Sequence, residues 1–178
     1  EEEVRQQISP SKARAAAAEA SMISQTAVKV SKLSDISSDD NERYKTGVGE
    51  LDRVLGGGIV AGSVTLLSGD PGIGKSTLLL QICQYLAEGL KILYVSGEES
   101  ARQLKLRANR LGVASGELYI AAATDIESVM ETIRQISPGI VMVDSIQTMN
   151  LRGLNSSSGS VSQIRECTQI LIGIAKNA

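Results

Sequence analysis

Gly69-Asp70-Pro71-Gly72-Ile73-Gly74-Lys75-Ser76-Thr77 fits the pattern G-x-x-x-x-G-K-[ST] with every required residue in place. That spacing serves the capture of a nucleoside triphosphate. A polyphosphate needs many donors at close range, and glycines let backbone N–H groups turn inward without a Cβ in the way. A helix opening directly after the loop adds unpaired amides and a positive partial charge, worth about 0.3–1 kcal/mol per neighbouring anion. Lys75 is placed to reach the β and γ phosphates, Ser76 to give a hydroxyl to Mg²⁺, and Thr77 to contact a neighbouring phosphate.

Two further acidic sites end apolar runs. Asp144 closes Ile140-Val141-Met142-Val143, where a carboxylate can hold the hydration shell of Mg²⁺ opposite Ser76. The alternative is a simple turn cap. Glu98 and Glu99 follow Ile92-Leu93-Tyr94-Val95-Ser96-Gly97, and one of them, Glu98 by preference, is the candidate to orient and deprotonate an attacking water. The competing reading makes both of them N-terminal acids of the next helix, serving its dipole.

The elements around these groups alternate. Residues 63–68 read as a short strand leading into the glycine-rich loop, and residues 78–87 continue as a helix with Gly89 as a stop. Residues 91–96 are a second strand, about 100–111 a helix with Leu104, Ala108 and Leu111 on one face, and 118–121 a third strand. Ile126, Val129, Met130, Ile133 and Ile136 form a helical stripe broken by Ser137-Pro138-Gly139 before the fourth strand. Ile164, Cys167, Thr168, Leu171 and Ala175 mark a last helix. Strand and helix in alternation make an α/β fold with a mostly parallel sheet flanked by helices, in which ligands sit at the carboxyl ends of the strands. Upstream, residues 46–55 read as a short helix stopped by Gly56-Gly57-Gly58. Residues 1–41, acidic, then alanine-rich, then Ser/Asp-rich, read as an N-terminal arm or linker, helical or disordered; residues 42–178 read as the nucleotide-binding domain. The polar, Gly/Ser-rich stretch 150–160 reads as a mobile loop.

At 178 residues with net charge −2, the chain has no global basic field, so any nucleic-acid contact must be local or arise in an oligomer. Four tyrosines are the whole aromatic complement, too few for a base-stacking surface. Cys83 and Cys167 lie in apolar helical stretches, and with no histidine present they read as core thiols rather than zinc ligands. No stretch is long and apolar enough to span a bilayer and no signal peptide is seen, so a cytoplasmic protein without a membrane partner is expected.

Several motifs outside the phosphate loop narrow the reading. Thr46-Gly47 with Glu50-Leu51-Asp52 and Leu55-Gly56-Gly57-Gly58, then Val95-Ser96-Gly97-Glu98-Glu99-Ser100, Val143-Asp144-Ser145-Ile146-Gln147 and Gly159-Ser160-Val161-Ser162-Gln163-Ile164-Arg165-Glu166 together resemble the RadA (Sms) family of bacterial DNA repair proteins, RecA-like ATPases, over roughly residues 30–178. The resemblance implies a RecA-like P-loop core, incomplete at the C-terminal end, and an ATP-dependent motor of repair and recombination. It implies ATP and Mg²⁺ as cofactors, single-stranded and branched DNA as partners, a homo-oligomeric, hexameric ring, and a recombinase as a further partner. It matches Glu98 to the family's catalytic glutamate and residues 150–160 to a DNA-facing loop, with Arg152 in it and Arg165 close after it as the cations; on residue type alone, two arginines near a loop are more often solvated. The family's four-cysteine zinc module finds no ligands in this sequence, and its later strands and protease-like domain are likewise not in these 178 residues, so poor activity of this piece by itself is expected. In RecA-like folds the next strand enters beside the phosphate-loop strand, so residues 65–68 and 140–143 are expected to face a slot. Two other readings stay open: a nucleotide-gated assembly module with little turnover, and a clock-type ATPase that phosphorylates itself.

Overall fold

The computed structural model describes residues 32–35 and 43–177. The expected arm, residues 1–41, lies almost wholly outside the described residues, as does its boundary with the domain. In the unit of residues 1–40 the described piece is a single 3-10 turn, Leu33–Asp35, closed by the Asp35 N–H donating to the Lys32 carbonyl at 2.9 Å. The elements below all belong to the second unit, residues 41–178.

That unit begins with β1 (Arg43–Tyr44), paired antiparallel with β2 (Ile59–Val60). Between them lies α1 (Gly49–Val54), shorter than the expected 46–55. The reason is Thr46, which is fully buried and gives both its backbone N–H and its hydroxyl to Asp52 Oδ1, at 2.9 and 2.8 Å, so its amide is committed to a side chain before the helix opens. Gly47 beside it has φ +75°, and a Cβ there would overlap the Tyr85 ring, which packs against the bare backbone.

The principal sheet has three parallel strands, β3 (Ile92–Ser96), β4 (Leu118–Ala122) and β5 (Ile140–Asp144), in the order β4-β3-β5. Register runs from Ile92 between Leu118 and Ile140 to Ser96 between Ala122 and Asp144. Strand β3 is buried along its whole length, as its unbroken apolar run requires of a central parallel strand. The helices α2 (Lys75–Leu86), α3 (Ala101–Arg110), α4 (Ile126–Ile136) and α5 (Val161–Lys176) cover both faces. Alternate strand residues divide the core. Ile92, Tyr94 and Met142 meet Leu80, Ile82, Cys83 and Leu86 of α2 and Leu104 of α3; Leu93 and Val95 meet Ile126 and Val129 of α4 and Cys167 of α5.

Helix limits follow local chemistry. Ser100 and Gln103 form a capping box on α3, Asp125 caps α4 through the Ser128 N–H, and Ser160 caps α5 through the Gln163 N–H. Both cysteines are buried, Cys83 Sγ lying 3.3 Å from Met142 Sδ, and burial pushes the Cys83 thiol up to about 12, so it remains a neutral core group as expected.

The expected strand at 63–68 does not form: residues 63–70 carry no ladder, with Val64 52% and Leu66 79% exposed. A β-prone run becomes a strand only where a neighbour completes its hydrogen bonds. Among the described residues β5 pairs with β3 alone, and nothing pairs with 63–68.

Candidate functional site

The phosphate loop runs into α2 through Gly74, whose φ of +106° turns the chain into the helix with no side-chain cap on its first amides. Such an uncapped N-terminus following left-handed glycines is an anion cradle. Lys75 Nζ donates to the carbonyls of Gly69 at 2.7 Å and Asp70 at 2.9 Å, so the cation sits within the curl of its own loop. Residues 69–73 are exposed, while Gly74, Lys75, Ser76 and Thr77 are half-buried where the helix meets the domain.

The direction of α2 follows from its contacts. Leu90, just past its C-terminus, packs on Gly139 immediately before β5, and Cys83 packs on Met142 within β5. The helix therefore runs antiparallel to β5, and its phosphate-binding end points to the side of the sheet where β3 and β5 finish. At that end Ser96 and Asp144 are register neighbours.

Asp144 accepts a hydrogen bond from the Tyr94 hydroxyl at 2.6 Å. The Asp144-Ser145 peptide is cis. Ser145 Oγ donates to Glu98 Oε1 at 2.9 Å, joining the ends of β5 and β3. The Glu98 and Glu99 amides both donate to Ser96 Oγ, at 3.3 and 3.0 Å, and Ser96 is buried. The two carboxylates nevertheless part. Glu98 is exposed beside Ser145, whereas Glu99 is ion-paired with Arg107 of α3 at 2.5 Å. Neither lies within the first turn of α3, whose cap is Ser100.

The donor set suits a hard cation carried by phosphates. Among the described residues no group of three or more histidines, cysteines or carboxylates could hold a metal unaided. A serine hydroxyl and one carboxylate are what Mg²⁺ takes from a protein when phosphate and water complete its octahedron.

The stretch 150–160, expected to be mobile, is tied down. Gln163, 2% exposed at the start of α5, accepts from the Leu151 N–H at 2.8 Å and donates to the Ser156 carbonyl at 3.1 Å. Asn150 exchanges backbone hydrogen bonds with Thr124 and Ile126. Arg152 is 73% exposed and paired with Asp125 at 3.3 Å; Asp125 is held below the usual carboxylate range chiefly by the Ser128 hydroxyl, with Arg152 adding to it. Arg165 is exposed on α5, in the turn after Gln163.

Tyr94, Ser96, Ser145, Arg107 and Gln163 belong to this constellation without being singled out as site residues by the sequence. Ser145 and Gln163 lay within resembling motifs; Tyr94 carried no signal beyond an apolar run.

Sheet, loop and strand-end acids define the class: a RecA-like P-loop ATPase domain. The family described as "ATPase: KaiC" matches residues 44–123. The chain is 52% identical over 149 residues to the DNA repair protein RadA of Listeria monocytogenes, covering 83% of this chain and 33% of that protein. It is 50% identical over 153 residues to RadA of Bacillus subtilis, and 49% identical over 152 residues to RadA of Haemophilus influenzae, in each case 85% of this chain and 33% of the relative. Within the RecA-like ATPases the chain belongs to the RadA family, and it spans about a third of the length of these curated relatives. No helix among the described residues is long and apolar enough to cross a membrane.

Proposed function

We propose that this chain is the ATP-hydrolysing core of a cytoplasmic DNA repair and recombination motor acting on single-stranded or branched DNA, with an arm at 1–41 and the ATPase domain at 42–178. The observation that carries the hydrolytic part is the linkage of Glu98 to Ser145 beside Asp144, at the sheet end toward which α2 directs Lys75 and Ser76. Backbone amides of Gly69, Asp70, Pro71, Gly72, Ile73 and Gly74, proline excepted, cradle the phosphates, Lys75 neutralises the β and γ groups, and Thr77 contacts a neighbouring phosphate. Ser76 and Asp144 would hold a hydrated Mg²⁺, which when bound would supply charge withdrawal from the γ-phosphoryl group. Glu98 takes a proton from water as the water oxygen attacks phosphorus and the bond to the ADP oxygen breaks. Glu99, tied to Arg107, serves the turn that presents Glu98.

The names of the relatives support the DNA part, and the exposed Arg152, next to Leu151, and Arg165, two residues past Gln163, are its contacts in this chain. A hexameric ring and a recombinase partner complete the proposal. Phosphate release by the full-length parent, measured with and without single-stranded DNA, tests it: stimulation is expected, and a rate indifferent to DNA refutes the motor. A second reading is a clock-type ATPase that phosphorylates itself. Transfer of labelled γ-phosphate onto the protein, in place of its release, would establish that reading.

A further inference from the structure

Tyr94 has no accessible surface and lies in the middle strand, between Ile120 of β4 and Met142 of β5 in register. Its side chain crosses diagonally, past its register partner, to reach Asp144 two residues further along β5. Diagonal cross-strand neighbours are separated by about 7–8 Å, which only a long side chain closes. Phenylalanine would fill the same layer and stop short of the carboxylate. Around the ring that layer is apolar, built from Leu80, Cys83, Leu104 and Met142. A buried phenol needs a polar partner, and here it has a carboxylate at 2.6 Å, a charge-assisted distance. In that bond the hydroxyl donates and the carboxylate accepts, and among the described residues no other polar side chain belongs to the buried cluster around the ring.

We propose that Tyr94 is the positioning residue for Asp144, its hydroxyl holding the carboxylate in the orientation that serves the nucleotide-bound Mg²⁺. The inference rests on the reading of Asp144 given above and adds a residue that acts only through it. Removing the hydroxyl frees the carboxylate to turn, so Mg²⁺ is held less well while the phosphate loop, which does not depend on Tyr94, is unaffected. Outer partners of metal ligands commonly change metal affinity by about 10–100-fold.

The test uses the full-length parent and equilibrium binding of a fluorescent ATP analogue, titrated with Mg²⁺ from an EDTA-treated start. Tyr94→Phe is expected to raise the Mg²⁺ concentration giving half of the metal-dependent gain in affinity by about tenfold, with affinity in EDTA unchanged. Met142→Leu, a neighbouring core change that leaves the hydroxyl in place, is expected to leave the midpoint where it was. Should Tyr94→Phe fail to fold, 3-fluorotyrosine at position 94 keeps the ring and alters the donor; a shifted midpoint supports the inference and an unshifted one overturns it. A Tyr94→Phe midpoint within about twofold of wild type, with Asp144→Asn still shifting it, overturns the role of Tyr94 alone. No shift from Asp144→Asn overturns the reading of Asp144, and that of Tyr94 with it.

Discussion

Glu98 and Glu99 are adjacent and chemically identical, so their exchange for glutamine isolates what tertiary placement does. Glutamine at 98 still offers an oxygen to Ser145 Oγ, which now donates at 2.9 Å, so the side chain stays where it is and only its capacity to take a proton is lost. A general base contributes about 10²–10⁴-fold, so Glu98→Gln is expected to cut turnover by at least about 100-fold, roughly 2.7 kcal/mol of transition-state stabilisation, with nucleotide affinity kept. Glu99→Gln breaks a different contact. Its partner Arg107 and Glu99 itself are 28% and 21% exposed, and loss of such a partly exposed ion pair costs about 1 kcal/mol of stability, with turnover changed by less than about threefold. The assay is single-turnover phosphate release by the full-length parent at saturating ATP, paired with a thermal melt of each variant. Equal losses of turnover, or a larger one at Glu99, would refute the assignment of the base and with it the role given to Ser145.

Lys75→Ala removes the cation that now closes the loop onto Gly69 and Asp70 and is expected to abolish tight ATP binding; labelled ATP bound within about twofold of wild type would remove the phosphate-loop reading. Replacing Arg152 and Arg165 together with alanine is expected to lower single-stranded DNA affinity and reduce the slope of its salt dependence by up to about two, leaving DNA-free phosphate release intact; an unchanged slope would return both to solvated surface. The Asp52 carboxyl is held below its ordinary range, first by the Thr46 backbone N–H, so its stabilisation is present above the unfolded value of about 3.9 and is lost as pH falls through the lower folded value. The gap in urea midpoint between wild type and Asp52→Asn is accordingly expected to hold at pH 7 and shrink below about pH 4; a gap constant down to pH 2 would exclude the linkage.

The phosphate loop was legible in the sequence because its nine contiguous residues carry their own conformation: glycines that admit left-handed φ, then a helix that begins at Lys75. The βα alternation was legible from apolar periodicity, and so was the helix start near Ser100, whereas the caps at Asp125 and Ser160 emerged only in the structure. Residues 63–68 were not, because an extended run has no structure of its own until another strand supplies its partners. The placement of Glu98 and Glu99 lay equally beyond local pattern. The sequence preferred Glu98 without showing where either side chain ends; that placement comes from Ser145, 47 positions from Glu98, and from Arg107 on the far side of the helix cap. Tyr94 reads as one more core residue until the parallel register sets β5 beside β3 and brings Asp144, 50 positions away, within reach of its hydroxyl. Gln163 likewise looks like a surface glutamine, yet it is buried against the loop it secures. Propensity and motif act through neighbours in the chain; the partner each of two adjacent carboxylates meets depends on contacts that exist only once the strands are in register.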